Sequence, residues 1–99
     1  MFNLKDTKYE VYYTNKFKKD FKKMLKQGKD EKKFINVLNL LANGLELEQK
    51  YRNHILNDNK YYKNCHECHI EPDWLLIYKF ENNKLVLLLF ATGTHSDLF

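Results

Sequence analysis

Glu67-Cys68-His69-Ile70-Glu71-Pro72-Asp73-Trp74-Leu75-Leu76-Ile77-Tyr78 is the stretch that decides the fold of this chain. Aromatic and β-branched residues flank the only proline, so it reads as two strands joined at Pro72. The first is expected over about 61–70 and the second over about 74–80. Beyond them, Asn82-Asn83 suits a two-residue hairpin turn. Leu85-Val86-Leu87-Leu88-Leu89-Phe90 is apolar on both faces, which marks an interior strand over about 84–91.

Toward the N-terminus, residues 45–60 are irregular and polar, and Asn57-Asp58-Asn59 is a turn signal. Phe34, Val37, Leu38 and Leu41 recur at helical spacing, with Asp30 as cap and Asn43-Gly44 as stop. Phe17, Phe21, Met24 and Leu25 mark an earlier helix, capped by Thr14 or Asn15 and ended by Gly28. Tyr9-Glu10-Val11-Tyr12-Tyr13 reads as a strand. The order is β-α-α-β-β-β with a short terminal turn. It predicts an α+β fold with two N-terminal helices packed on a small antiparallel sheet. Ninety-nine residues are expected to form one domain, 1–99.

At 43% hydrophobic and 15% aromatic residues, the chain can build a small core and is too apolar to be wholly disordered. No stretch approaches the roughly 18 apolar residues of a membrane span. Met1-Phe2-Asn3-Leu4-Lys5-Asp6 lacks the charged start and apolar run of a signal peptide. A cytoplasmic protein with reduced thiols is therefore expected. Residues 1–33 hold eleven lysines against five acids, whereas 34–99 hold six bases against eight acids. That basic part suits a polyanion or an acidic partner, or simply a solvated surface. Arg52 is the only arginine, so lysine point charges would have to grip phosphate.

Cys65-His66-Glu67-Cys68-His69 fits the C-x-x-C-H pattern of haem attachment. Strand alternation, however, sends Cys65 and Cys68 to opposite faces. Structural zinc needs about four ligands, and the chain has no second cysteine pair. Neither haem nor a metal site is expected. Any one histidine alone would read as a surface or packing residue. Together they read differently. On a strand, Glu67, His69 and Glu71 share a face. Asp73 opens the next strand, and His95 follows the last one. Adjacent strands would bring His69, Asp73 and His95 to one sheet edge, with His54 folding over it from the long loop. Imidazole suits proton transfer near neutral pH. With a carboxylate beside it, such a cluster could move the two protons of an RNA cut by its own 2′-hydroxyl.

Asn53-His54-Ile55-Leu56, the Glu67–Tyr78 block and Gly93-Thr94-His95-Ser96-Asp97-Leu98-Phe99 resemble the YafQ branch of the RelE-type toxins of bacterial toxin–antitoxin pairs. The resemblance covers nearly the whole chain. It implies a microbial-RNase-like RelE fold and an endoribonuclease, an mRNA interferase, that enters the ribosomal A site, cuts mRNA and arrests translation. It implies a cognate antitoxin that wraps the toxin, with promoter DNA bound only through that complex and no membrane partner. His54, His69, Asp73 and His95 match the family's catalytic positions, and Trp74 and Phe99 match its aromatic ones.

The implied reaction is attack of the 2′-hydroxyl on phosphorus, leaving a 2′,3′-cyclic phosphate and a 5′-hydroxyl. It needs no metal or other cofactor. His95 is assigned as general acid and Asp73 as general base, or the reverse. His69 and His54, as cations, would stabilise the phosphorane. Trp74 and Phe99 would stack on bases or shape the pocket, unless Trp74 serves the core. Lys18, Lys19, Lys22, Lys23 and Lys26 would meet ribosomal RNA through phosphate attraction.

The chain departs from the family pattern in places. Ala91 stands where arginine is usual, so an arginine there is expected to raise a weak turnover. His66 also stands where arginine is common and could replace its charge only when protonated. Asn53 replaces an aspartate and Asn64 a glycine, and the loop before His69 is longer than usual. The alternative to a weak RNase is a degenerate toxin-like domain that binds antitoxin or RNA without cutting.

Overall fold

A computed structural model of the chain describes residues 6–56 and 59–99. The start of the chain, read above as lacking a leader, lies outside the described residues, as do Asn57 and Asp58 of the turn signal. The elements are β1 (Glu10–Tyr13), α1 (Asn15–Lys26), α2 (Glu31–Ala42), a 3-10 turn (Gln49–Tyr51), β2 (His54–Ile55), β3 (His66–Glu71), β4 (Trp74–Glu81), a second 3-10 turn (Asn82–Lys84), β5 (Val86–Gly93) and α3 (His95–Leu98).

Local chemistry sets both long helices. Thr14 Oγ1 accepts from the Phe17 N–H, and Asp30 Oδ1 accepts from the Lys32 N–H. Gly28, just past α1, has φ of +88° and turns the chain into α2. Phe17, Phe21 and Met24 of α1 and Phe34, Val37, Leu38 and Leu41 of α2 are buried, as their spacing requires.

The sheet order is β1-β5-β4-β3-β2. Neighbours among β2 to β5 pair antiparallel, but β1 pairs parallel with β5, Glu10 opposite Val86 through Tyr13 opposite Leu89. The sheet is thus mixed rather than wholly antiparallel. The two helices carry the chain to the far edge, and the later strands meander back until β5 lies beside β1.

Strand boundaries also move. Asn59 Oδ1 accepts from the Tyr61 and Tyr62 N–H groups and Asn64 has φ of +61°, so turn chemistry delays β3 until His66. β2 forms inside the segment expected to be irregular. The Asn82–Lys84 turn, with Leu85 at φ of +52°, replaces a two-residue hairpin.

Cys68, Ile70, Trp74, Leu76, Tyr78, Leu87 and Leu89 pack against the helices. Leu75, Ile77 and Ala91 form a second cluster with Tyr62, Cys65 and Leu98. Cys65 and Cys68 fall in different clusters, as alternation requires.

Two register shifts control these faces. β3 spends His69, Ile70 and Glu71 opposite Leu75 and Trp74, and β5 spends Leu89, Phe90 and Ala91 opposite Tyr78 and Ile77. An extra residue reverses the alternation. Leu89 therefore joins the helix-side cluster while Ala91 joins the other. Glu71 leaves the His69 face and meets Lys29 and Lys33 instead, at 3.1 and 2.7 Å. The expectation that Glu67, His69 and Glu71 share one face is corrected accordingly. Among the described residues no helix is long and apolar enough to cross a membrane.

Candidate active site

The sheet face turned away from α1 and α2 carries the polar cluster. β2 sets His54 directly opposite Glu67 on β3. Glu67 is 6% exposed, and a buried carboxylate is costly unless paired. Its Oε1 lies 3.4 Å from His54 Nε2 and 3.3 Å from His69 Nε2. The other nitrogen of each ring faces a backbone carbonyl: His54 Nδ1 is 2.8 Å from Arg52 O, and His69 Nδ1 is 3.2 Å from Pro72 O. Both nitrogens of both rings thus face acceptors, an arrangement a doubly protonated imidazolium satisfies. His54 reaches this place from β2, not from the long loop expected to fold over the sheet edge.

Asp73 lies in the β3–β4 connection, and His95 opens α3. Asp73 Oδ1 accepts from the His95 backbone N–H at 2.9 Å and lies 2.8 Å from its Nδ1. The His95 backbone N–H and then its ring hold the Asp73 carboxyl below its ordinary range. With Nδ1 turned to the carboxylate, His95 Nε2 is the nitrogen left for chemistry. The His69 and His95 rings stand 5.6 Å apart. His54, His69, Asp73 and His95 are therefore brought together, with Glu67 as the shared partner of two of them. Glu67 received no role from sequence. Its only signal was the two-residue spacing to His69.

Other candidates lie elsewhere. Trp74 is fully buried among the helix-side residues, and its Nε1–H donates to Thr92 Oγ1 at 2.9 Å. It builds the core rather than offering a face to a base. His66 stacks on Tyr78 at 5.3 Å and so sits on the helix side, away from Glu67 and His69. Burial, helped by the charge of His54, lowers its pKa, so it is a poor cation at neutral pH. Asn53 accepts from the Tyr78 hydroxyl. Phe99 is exposed and meets Tyr62 edge-on at 5.7 Å. Lys18, Lys19, Lys22, Lys23 and Lys26 are all exposed on α1, but Lys23 is engaged by Asp97 at 2.8 Å. Ala91 is fully buried on the same sheet face as Glu67, in the row Glu67–Ile77–Ala91.

A cleft of about 480 Å³ opens beside His69, lined also by Lys33, Asn36, Lys50, Tyr51, Glu71 and Pro72. Among the described residues, no group of three or more histidine, cysteine, aspartate or glutamate side chains is arranged to hold a metal ion.

A small basic α+β protein with imidazoles and carboxylates gathered on one sheet face is the class that fold and site define. Residues 9–99 match the family model described as the bacterial toxin of type II toxin–antitoxin system, YafQ. This chain belongs to that family. The mRNA interferase toxin YafQ of Escherichia coli (strain B / BL21-DE3) is 37% identical over 91 residues, spanning 91% of this chain and 95% of that protein. The crystal structure of a metal-bound toxin from Helicobacter pylori has a TM-score of 0.85 at 36% identity, covering 92% of this chain and 99% of that one. The toxin-bearing DinJ-YafQ complex of Escherichia coli gives 0.81 at 37% identity, covering 92% and 98%.

Proposed function

We propose that this chain is a cytoplasmic mRNA endoribonuclease, a toxin that cuts mRNA in the ribosomal A site and is restrained by a cognate antitoxin. The observation that carries this reading is the 2.8 Å His95–Asp73 pair standing 5.6 Å, ring to ring, from His69. Asp73, held ionised by His95, accepts protons rather than supplying them. In this reading it serves as the base, taking the 2′-hydroxyl proton through Oδ2 while Oδ1 keeps its hold on His95. The 2′ oxygen bonds to phosphorus, and the bond from phosphorus to the 5′ oxygen breaks. His95, protonated on Nε2, gives that proton to the departing oxygen. His69 and His54, both set against Glu67 Oε1, would balance charge on the phosphorane when protonated. The products are a 2′,3′-cyclic phosphate and a 5′-hydroxyl, and the route needs no metal.

The antitoxin follows from the relatives, whose toxin is solved in complex with DinJ. Promoter DNA would be reached only through that antitoxin complex. Exposed Lys18, Lys19, Lys22 and Lys26 would meet ribosomal RNA, and Phe99 would pack on a base. Free RNA is then a poor substrate. Incubation with ribosomes programmed with a defined mRNA, followed by primer extension and analysis of the new ends, tests this. Discrete cuts with 5′-hydroxyl ends, absent without ribosomes, are expected. Intact mRNA would overturn the reading.

A non-cutting, antitoxin- or RNA-binding role is the second reading, and buried Ala91 favours it, because no guanidinium supplements the cluster. Intact mRNA together with tight antitoxin binding would establish that role.

A further inference from the structure

We infer that Asp97 and Lys23 are positioning residues for His95, clamping the α3 turn to α1. The inference rests on reading His95 as the general acid.

α3 is four residues long, far too short to be stable alone. The His95 side chain is 56% exposed and its partner Asp73 is 64% exposed, so packing does little to fix either. The hold comes from Asp97, which uses both carboxylate oxygens in different directions. Oδ2 accepts from the Thr94 N–H at 3.0 Å while Thr94 Oγ1 accepts from the Asp97 N–H at 3.2 Å, closing a reciprocal capping box around His95. Oδ1 takes the Lys23 ammonium at 2.8 Å. Lys23 stands on α1 between Phe21 and Met24, both anchored in the core. One carboxylate therefore ties the turn bearing His95 to an element 74 residues earlier.

Three further observations fit. A Cβ on Gly93 would come within 2.9 Å of the Asp97 Cβ, so the turn is seated tightly on the end of β5. Leu98, 8% exposed, plugs the second cluster from the same turn. Lys23 and then the Thr94 N–H draw the Asp97 carboxyl down to about 2, as a carboxylate committed to several donors should be. An ordinary exposed ion pair contributes about 0–1 kcal/mol and touches nothing else. This one fixes the backbone from which the imidazole projects. Breaking it lets the His95 N–H leave Asp73 and the ring drift from the departing oxygen. Misplacement by about 1 Å can cost about a hundredfold in rate.

The test combines ¹⁵N-histidine NMR of the free protein with cleavage on programmed ribosomes, for wild type, Lys23→Ala, Lys23→Arg, Asp97→Asn and Lys84→Ala. Lys23→Ala and Asp97→Asn should shift or broaden the His95 ring signals while leaving those of buried His69 in place. They should lower kcat about 10- to 100-fold with little change in KM. Lys23→Arg should restore both readouts, and Lys84→Ala should alter neither. Unchanged His95 signals in folded Lys23→Ala and Asp97→Asn would overturn the clamp. So would a rise in KM alone, which would mark Lys23 as an RNA contact. His95 signals that respond in a protein that cuts nothing would uphold the clamp and overturn the RNase.

Discussion

Ala91→Arg installs the arginine that the family resemblance implies at this position, and its effect follows from where Ala91 lies. The side chain is fully buried, in a cluster with Leu75, Ile77, Cys65, Tyr62 and Leu98. Tyr62 and Cys65 come from the loop before β3, and the Tyr62 hydroxyl reaches the Leu98 carbonyl at 3.4 Å. The long loop and the small residue are thus one packing arrangement, with the loop occupying space an arginine would need. Forcing a large side chain into a filled core costs about 1–3 kcal/mol, and a buried unpaired charge adds several more. The loss should be at least about 3 kcal/mol, out of the roughly 5–15 kcal/mol typical of a domain. At about 4–8 °C per kcal/mol for this size, the melting temperature should fall by about 12–24 °C. Thermal and urea melts followed by circular dichroism read this directly. Turnover should not rise in the single variant, contrary to what the sequence suggests. Adding Tyr62→Ala should open a path toward Glu67, so the double variant should be more stable than the sum of the single losses predicts. A folded Ala91→Arg protein with unchanged melting temperature and faster cleavage would refute the reasoning.

Glu67→Gln keeps shape but removes the charge shared by His54 and His69, so cleavage should drop at least about tenfold while the fold persists; unchanged single-turnover rates would remove Glu67 from the site. The depressed Asp97 carboxyl contributes stability that is present above its ordinary 3.8 and lost as pH falls through about 2. Acid titration by circular dichroism should therefore show wild type losing stability between about pH 4 and 2 faster than Asp97→Asn, and parallel curves would contradict it. Glu71, held low by Lys33 and then Lys29, acts with the same sign, and Glu71→Gln should flatten the same limb. Trp74→Phe leaves a small void and removes the donor to Thr92 Oγ1, which keeps its own bond to the Leu75 carbonyl, costing about 2 kcal/mol in denaturant melts without changing KM for mRNA; a raised KM with intact stability would make Trp74 a base platform after all.

Both long helices and the two central strands were legible because their apolar spacing is clean. The caps at Thr14 and Asp30, the stop at Gly28 and the split of Cys65 from Cys68 followed from local rules. The parallel pairing of β1 with β5 was not legible, because strand direction depends on the path of the whole chain. Neither register shift carries a residue signature. That hid the turn of Glu71 away from His69 and the placing of Ala91 on the His69 face. His54, His69, Asp73 and His95 were found through family resemblance together with their order along the strands. The contacts of Glu67 and Asp97 were not legible because their partners lie 13 and 74 residues distant, at His54 and Lys23.

The most direct test of the central claim is single-turnover cleavage of ribosome-bound mRNA carrying sulfur in place of the bridging 5′ oxygen at the cut. A thiolate leaves without needing a proton, so it bypasses the general acid. His95→Ala should slow cleavage of ordinary mRNA about 10²- to 10⁴-fold and cut the sulfur substrate at close to the wild-type rate. Equal slowing on both substrates would contradict the account, because His95 would then not be the group that protonates the departing oxygen.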